Sequence, residues 1–396
     1  MKKLLILLVV LLAAGGGACL IWRPWEQKGV QYREETSEPS ATDKIQEKLD
    51  KMTLDEKVSQ MIIPQAPQAI LPKATIEKLQ TAPYGGYILM GDNYQTLLKT
   101  REFVEELQSL AKTPLIITTD EEGGSVQRLQ SVTDRQATDI PFMYQIGQTG
   151  DVSKAQTTGR VLAEELRTVG VNVDLAPDAD VYSNPSNTVI GQRSFSSDPE
   201  IVAEMALALA AGLEENGIMA VFKHFPGHGN TTIDSHSALP IIEATREELE
   251  ASDVIPFRNA ISNNAKIIMT GHSALPNITG DNTPASLSQK LTTDLLRNEL
   301  GFNGLIMTDG LNMGALTSNY EPAEIYQMAV EAGADLLLLP TDPELAVQTI
   351  KEKISESRIN ESVYRILSFK ETYLTDYRYL DDSYFGSSEH QEVVEL

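Results

Sequence analysis

Short apolar runs alternate along the chain with longer stretches whose apolar residues recur at roughly helical spacing. Eight runs stand out: Val58–Ile63, Gly86–Met90, Leu115–Thr119, Val171–Leu175, Ala220–Lys223, Ile267–Thr270, Leu305–Thr308 and Asp335–Leu339. They are β-branched or Leu-rich and are followed by Gly, Asp, Asn or Pro, the pattern of strands buried in a parallel sheet. Helical patterns fill the intervals: Gln95–Ala111, Ser153–Val169, Asp198–Glu215, Arg246–Ser262, Gln289–Glu299, Pro322–Ala332 and Pro343–Ser355. In Gln95–Ala111, for example, Leu97, Leu98, Val104, Leu107 and Leu110 alternate with Glu and Lys. Strand and helix alternating eight times predict an α/β fold, a (β/α)8 TIM barrel forming a single catalytic domain. The competing architecture is an open doubly wound sheet. It requires a glycine-rich phosphate turn after an early strand, and Gly123-Gly124 does not have that form.

The two ends break the rhythm. Met1-Lys2-Lys3 precedes Leu4–Trp22, nineteen residues without a charge, with small residues from Ala13 to Ala18. Residues 1–22 therefore read as a signal peptide or membrane anchor that sends the rest of the chain out of the cytoplasm. Gly16-Gly17-Ala18 before the sole cysteine, Cys19, resemble a bacterial lipoprotein processing site, which would make Cys19 the lipidated residue. The other outcome is an uncleaved anchor, since nineteen apolar residues just span a bilayer. Residues 23–43 are polar and read as a linker, 44–380 as the barrel, and 381–396 as an irregular acidic tail.

Composition narrows the function classes. A length of 396 residues allows two or three domains, but a barrel of this kind uses most of that length as one unit. With 41% hydrophobic and 22% charged residues, the chain has enough apolar material for a full core. The net charge of −24 repels phosphate backbones, so nucleic acid is not an expected partner. One cysteine excludes an internal disulfide.

In a barrel, chemistry gathers where strands end. Asp120-Glu121-Glu122-Gly123-Gly124 and Arg128 follow the third strand, and Asp174, Asp178, Asp180 and Arg193 follow the fourth. The fifth runs into Lys223-His224-Phe225-Pro226-Gly227-His228-Gly229, then Asp234-Ser235-His236; His272 follows the sixth and Asp309 the seventh. Four of the five histidines fall at these strand ends. Each residue alone has a plainer reading. Asp309 can cap a helix, Lys223 can reach solvent, His224 and His272 can be satisfied core imidazoles, and Arg128 and Arg193 can be surface ion-pair partners. Convergence on one face favours a site. There Asp309 suits a nucleophile or an electrostatic stabiliser. Asp234 and His236, two apart, suit a carboxylate–imidazole pair that gives or takes a proton near neutral pH. Asp120, Arg128, Arg193, Lys223 and His224 supply donors and acceptors for hydroxyls. Together these describe a retaining glycosidase in which His replaces one of the usual carboxyls.

At this level of detail the chain resembles a known family. Lys223-His224-Phe225-Pro226-Gly227-His228-Gly229-Asn230-Thr231-Thr232-Ile233-Asp234-Ser235-His236 is similar to the signature of bacterial β-N-acetylglucosaminidases of glycoside hydrolase family 3, which cut GlcNAc from peptidoglycan fragments. Asp120 to Arg128 resembles that family's Asp-Gln-Glu-Gly-Gly-Arg-Val segment, with Glu121 for Gln and Ser125 for Arg. Ile190–Phe195 and Thr308–Met313 match as well, and the likeness spans about residues 45–375. The resemblance implies Asp309 as nucleophile, His236 as acid/base oriented by Asp234, and Asp120, Arg128, Arg193, Lys223 and His224 as ligands of the nonreducing-end GlcNAc. It implies no cofactor and no metal.

Three other readings stay on the table. A His acid/base does not repel phosphate as a carboxylate would, so a phosphorylase, or a β-glucosidase of the same family, is the first alternative. A zinc hydrolase would use His224, His228, Asp234 and His236, but Pro226-Gly227 prevents the helix that would align His224 with His228. A non-catalytic wall-binding lipoprotein predicts loss of Asp309, Asp234 or His236, and all three are present.

Overall fold

The computed structural model of the protein describes residues 41–395 apart from Ala69, Thr232, Ile233 and His236. Cys19, residues 1–22 and most of the 23–43 segment therefore lie outside the described residues, as does His236.

All eight apolar runs contain a strand. In chain order the strands are β1 (Ile62–Ile63), β2 (Gly86–Ile88), β3 (Ile116–Thr119), β4 (Glu121–Gly123), β5 (Val126–Gln127), β6 (Val173–Asp174), β7 (Met219–Phe225), β8 (Ile267–Thr270), β9 (Leu305–Thr308) and β10 (Leu337–Leu338). Only the β4–β5 hairpin is antiparallel; the rest pair in parallel and every residue in them is buried. Six strands form one sheet in the order β2-β3-β6-β7-β8-β9, and β1 pairs with β10. Single parallel bridges join Gln65 to Ile88 and Met307 to Leu336, next to β1 and β10 respectively. The sheet is thus a curled parallel half-barrel with helices outside it, an α/β fold.

Neighbouring strands come very close where glycine allows it. A Cβ on Gly86 would lie 1.9 Å from the Ile116 carbonyl oxygen, so β2 can pair with β3 here only without a side chain.

The helices begin where the sequence offers a cap. Asp151, Asp198 and Asp342 accept from the first-turn N–H groups of Val152–Val169, Pro199–Glu215 and Pro343–Lys353, the last two with Pro in the first turn. In Leu97–Leu110 the buried face is Leu97, Thr100, Phe103, Val104 and Leu107, an i, i+3, i+4, i+7 stripe. Leu98 falls off that stripe and is exposed.

Four local expectations are corrected. Val58 belongs to a helix, Leu54–Ser59, which Thr53 and Glu56 start with a reciprocal capping box. The predicted helix Arg246–Ser262 is two helices, Arg246–Ala251 and Val254–Ser262. Pro256 has no N–H to donate, so it sits in the first turn of the second. Lys290–Glu299 is wound as a π-helix. The tail is not irregular throughout: Ser388–Val394 is a helix, with Phe385, His390 and Val394 buried. Among the described residues no helix is long and apolar enough to cross a membrane.

Candidate active site

Because parallel strands all end on the same side, the residues that follow them converge. Asp120, Arg128, Arg193, Lys223, His224 and Asp309 line one cavity of about 250 Å³ at the carboxyl ends of the strands. A second, larger cavity of about 410 Å³ lies at the opposite ends, where Lys266 and Gly304 precede β8 and β9. Among the described residues no carboxylate lines it, whereas three line the first cavity, Asp120, Glu122 and Asp309. Carboxylate chemistry therefore belongs to the first.

The floor of the site is an alternating network of charge. Lys223, at 2% exposure, donates to Asp120 Oδ1 at 2.9 Å and meets Glu122 Oε1 at 2.5 Å. Arg193 grips Glu122 with two parallel bonds, Nε to Oε2 at 2.7 Å and the terminal nitrogen to Oε1 at 2.8 Å. Its guanidinium also lies 3.5 Å from Asp178 Oδ2, and Arg128 lies 3.9 Å from Asp120 Oδ2. Burial opposes ionisation of Glu122, but the charges of Arg193 and Lys223 outweigh it and hold this carboxyl well below the usual range. Lys223 gains the same way: burial works against its charge, and Asp120 and Glu122 more than restore it.

Behind this layer, Asp180 fixes His224. His224 Nδ1 lies 2.7 Å from Asp180 Oδ2, and Asp180 Oδ1 accepts the His228 N–H at 2.7 Å. Burial would depress the His224 imidazole, yet the Asp180 carboxylate raises it above its ordinary value. Asp178 is pushed up to about 7 by burial and by the Asp180 charge. Asp178, Asp180 and His224 offer ligand atoms within 4.8 Å of one another, the geometry of a possible cation site. Their charges are already met by Arg193 and by the Asp180–His224 bond, so the trio reads as an ion-pair network.

Asp309 follows β9 directly. Its N–H donates to the Thr270 carbonyl at 2.9 Å and its Oδ1 accepts the Gly310 N–H at 2.7 Å, so backbone fixes both ends of the residue. Burial would raise its pKa, but His272, His224, the Gly310 N–H and Lys223 together hold it at about 2. Asp309 is thus ionised at any working pH. His272 is fully buried, with Nδ1 2.8 Å from Ser286 Oγ and Nε2 3.0 Å from the Gly310 carbonyl, to which it must donate. It braces the Asp309 turn rather than facing substrate.

The loop bearing the predicted acid/base pair leaves β7 through Gly227. Ser235 lines the cavity, its carbonyl accepts from Ala315 N–H, and its hydroxyl lies 3.1 Å from His228 Nε2. Asp234 is half-buried, and its carbonyl accepts from Ser237 and Ala238. Asp253 packs against the root of this loop. A Cβ on Gly227 would lie 2.6 Å from Asp253 Oδ1. Burial and the Asp180 charge push the Asp253 carboxyl up to about 7, from the ordinary 3.8. A carboxyl raised in the fold contributes stability that is present at low pH and lost between about pH 4 and 7. Asp253→Asn should therefore raise the thermal midpoint by roughly 5 °C at about pH 8 and by little at about pH 4, as read by melting curves across pH.

Two residues of the network, Glu122 and Asp180, carry no assignment from sequence. Each is two positions from a residue that does face the site or its wall, Asp120 and Asp178, and in extended backbone such positions point the same way. That alternation was the available signal.

Residues 53–369 match the model of the glycosyl hydrolase family 3 N-terminal domain. A beta-hexosaminidase of Nitrosospira multiformis is 38% identical over 282 residues, covering 70% of this chain and 79% of that protein. Among solved structures, a glycoside hydrolase family 3 beta-N-acetylglucosaminidase from Paenibacillus sp. superposes with a TM-score of 0.80 at 33% identity, over 87% of this chain and 68% of that one. A beta-glucoside phosphorylase also superposes with a TM-score of 0.80, at 25% identity, over 89% of this chain and 66% of that one. Strand order, the cavity at the strand ends and a match over most of the chain agree: this chain belongs to glycosyl hydrolase family 3.

Proposed function

We propose that the protein is a retaining exo-β-N-acetylhexosaminidase that removes nonreducing-end GlcNAc from peptidoglycan fragments or related β-GlcNAc glycosides. The observation that carries this reading is that ionised Asp309 and the Lys223–Glu122–Arg193 and Asp120 network line one cavity of about 250 Å³. That volume suits one sugar ring with its substituents rather than a chain. The names of the relatives at 33–38% identity support the acetamido sugar.

In the first step an Asp309 oxygen attacks the anomeric carbon, the glycosidic C–O bond breaks, and the leaving oxygen takes a proton from His236. In the second, water attacks the same carbon and gives its proton to His236, and Asp309 departs as carboxylate. Asp234 orients His236 in this reading, which rests on their spacing in the sequence and on the anchoring of Ser235 between them. No metal or cofactor enters either step. The two single bridges beside β1 and β10 support a further element of the reading, closure of the sheet into a complete (β/α)8 barrel. The apolar segment Leu4–Trp22 supports placement outside the cytoplasm, held to the membrane by Cys19 or by the segment itself. The mass of the mature N-terminus separates those two.

The similarity to a beta-glucoside phosphorylase favours one second reading, phosphorolysis. Comparing 4-nitrophenyl β-GlcNAc with the β-glucoside, each with and without phosphate, decides between them. Hydrolysis predicts a GlcNAc preference and a rate indifferent to phosphate. A glucose preference, or a rate that climbs with phosphate and yields a sugar 1-phosphate, would overturn it.

A further inference from the structure

The C-terminal residues lie beyond the part of the chain that matches the family, which ends at residue 369. They nevertheless make specific contacts along one side of the fold. Tyr377 donates to the Val171 carbonyl at 2.7 Å, just before β6 begins. Arg101 then donates to the Leu380 carbonyl and pairs with Asp382. From there the segment reaches the opposite, active-site end. Arg135 donates to the Asp382 carbonyl at 2.7 Å, and the Asp139 N–H donates to Gln391 at 3.1 Å. Gly386, at φ +61°, passes so close to the Gln136 carbonyl that a Cβ would lie 2.0 Å from it.

Glu165 joins this segment to the loop it touches. Its Oε1 accepts the Gly386 N–H at 2.9 Å together with the Thr138 N–H at 3.2 Å and hydroxyl at 2.5 Å. His390, 1% exposed, closes the cluster, with Nε2 2.7 Å from Glu164 and Nδ1 3.3 Å from Glu165. Both ring nitrogens face carboxylates, so the imidazolium is the form that satisfies both. Loop 137–140 in turn holds the β4–β5 hairpin. Gln130 donates to the Ala137 and Thr138 carbonyls, Gly124 to Ile140, and the Ile140 N–H to Gln127. The hairpin carries Glu122 and leads into Arg128. Hydrogen bonds therefore link the C-terminal segment, through Glu165 and loop 137–140, to the hairpin that carries Glu122 and leads into Arg128.

We infer that Tyr377–Glu395 is a strap that positions the β4–β5 hairpin for substrate, with His390 and Glu165 as its positioning residues. Among the described residues no hydrogen bond or ion pair joins the strap to Asp309, so it sets how well Glu122 and Arg128 are held and leaves the Asp309 step alone. This inference rests on the glycosidase reading for its kinetic readout only.

The test compares wild type with His390→Ala/Gln391→Ala and with a chain ending at Leu380. For 4-nitrophenyl β-GlcNAc, KM should rise about five- to tenfold while kcat stays within about twofold. Amide hydrogen exchange over residues 124–130 should quicken in both variants. If the shortened chain does not fold, the double variant carries the test. Unchanged exchange at 124–130 with unchanged KM, or kcat falling by as much as KM rises, overturns the strap. If wild type shows no turnover, the glycosidase reading fails and exchange alone decides the strap.

Discussion

Asp309→Asn is expected to lower turnover of 4-nitrophenyl β-GlcNAc by about 10⁴-fold or more while leaving the melting temperature close to that of wild type. Asn keeps the shape and can still accept the Gly310 N–H, the 2.7 Å bond that fixes the side chain. What it loses is the negative charge that His272, His224 and Lys223 hold in place against burial. Those groups face a carboxylate in the resting protein and an ester in the covalent intermediate. Removing the nucleophile leaves the sugar bound beside a group that cannot attack. Asp309→Ala makes room for a small anion, so added azide should restore turnover and give the α-glycosyl azide. Full activity of the Asn variant would remove Asp309 from the chemistry. Because its neighbours hold the Asp309 carboxyl below the ordinary carboxylate range, an acid limb of kcat/KM above about pH 4 is expected from another group.

The second large effect concerns stability as well as activity. Glu122→Ala removes the carboxylate shared by Arg193 and Lys223, the first gripped by two bonds and the second at 2.5 Å. All three side chains are largely buried, so the variant leaves Lys223 with Asp120 alone and Arg193 with only the 3.5 Å contact to Asp178. Breaking a buried pair from one side costs about 3–5 kcal/mol. Urea denaturation should show a loss of that order, and KM should rise because Lys223 and Arg193 no longer have fixed positions. Glu122→Gln keeps the shape without the charge and should fall between the two. The pH dependence has a definite sign. Glu122 titrates below its unfolded value, so its contribution is present above the ordinary carboxylate range and is lost as pH falls toward the folded value. The gap between wild type and Glu122→Ala should therefore narrow in acid. A constant gap from pH 3 to 8 would show that the residue acts through packing alone.

The parts of this molecule that were readable from sequence are those where one local signal decides the outcome. Strands β3, β8 and β9 lie within runs of Ile, Leu, Met and Thr, and their burial on both faces leaves no charged position to confuse the pattern. Asp198-Pro199 and Asp342-Pro343 mark helix starts because cap and first-turn proline are adjacent. The same rule would have moved Val58 from strand to helix, since Thr53-x-x-Glu56 is a capping box directly before it. Asp120, Lys223 and Asp309 are legible because they follow strand ends. Glu122 and Asp180 stand out only in the fold, because their importance comes from partners 71 and 44 positions away, Arg193 and His224. The tail was hidden for a similar reason. An acidic segment looks solvated until His390 meets Glu165 across 225 positions of chain and Gln391 meets Asp139 across 252.

In the proposed mechanism Asp309 forms a covalent bond to the anomeric carbon of a β-linked GlcNAc. Incubating the protein with an activated 5-fluoro-β-GlcNAc glycoside, which slows the second step more than the first, and mapping the quenched digest by mass spectrometry tests that claim directly. The predicted result is a single sugar adduct on the peptide containing Asp309, absent in Asp309→Asn and released on prolonged incubation. Turnover with no adduct and an α-configured product, or an adduct on a different residue, would contradict it.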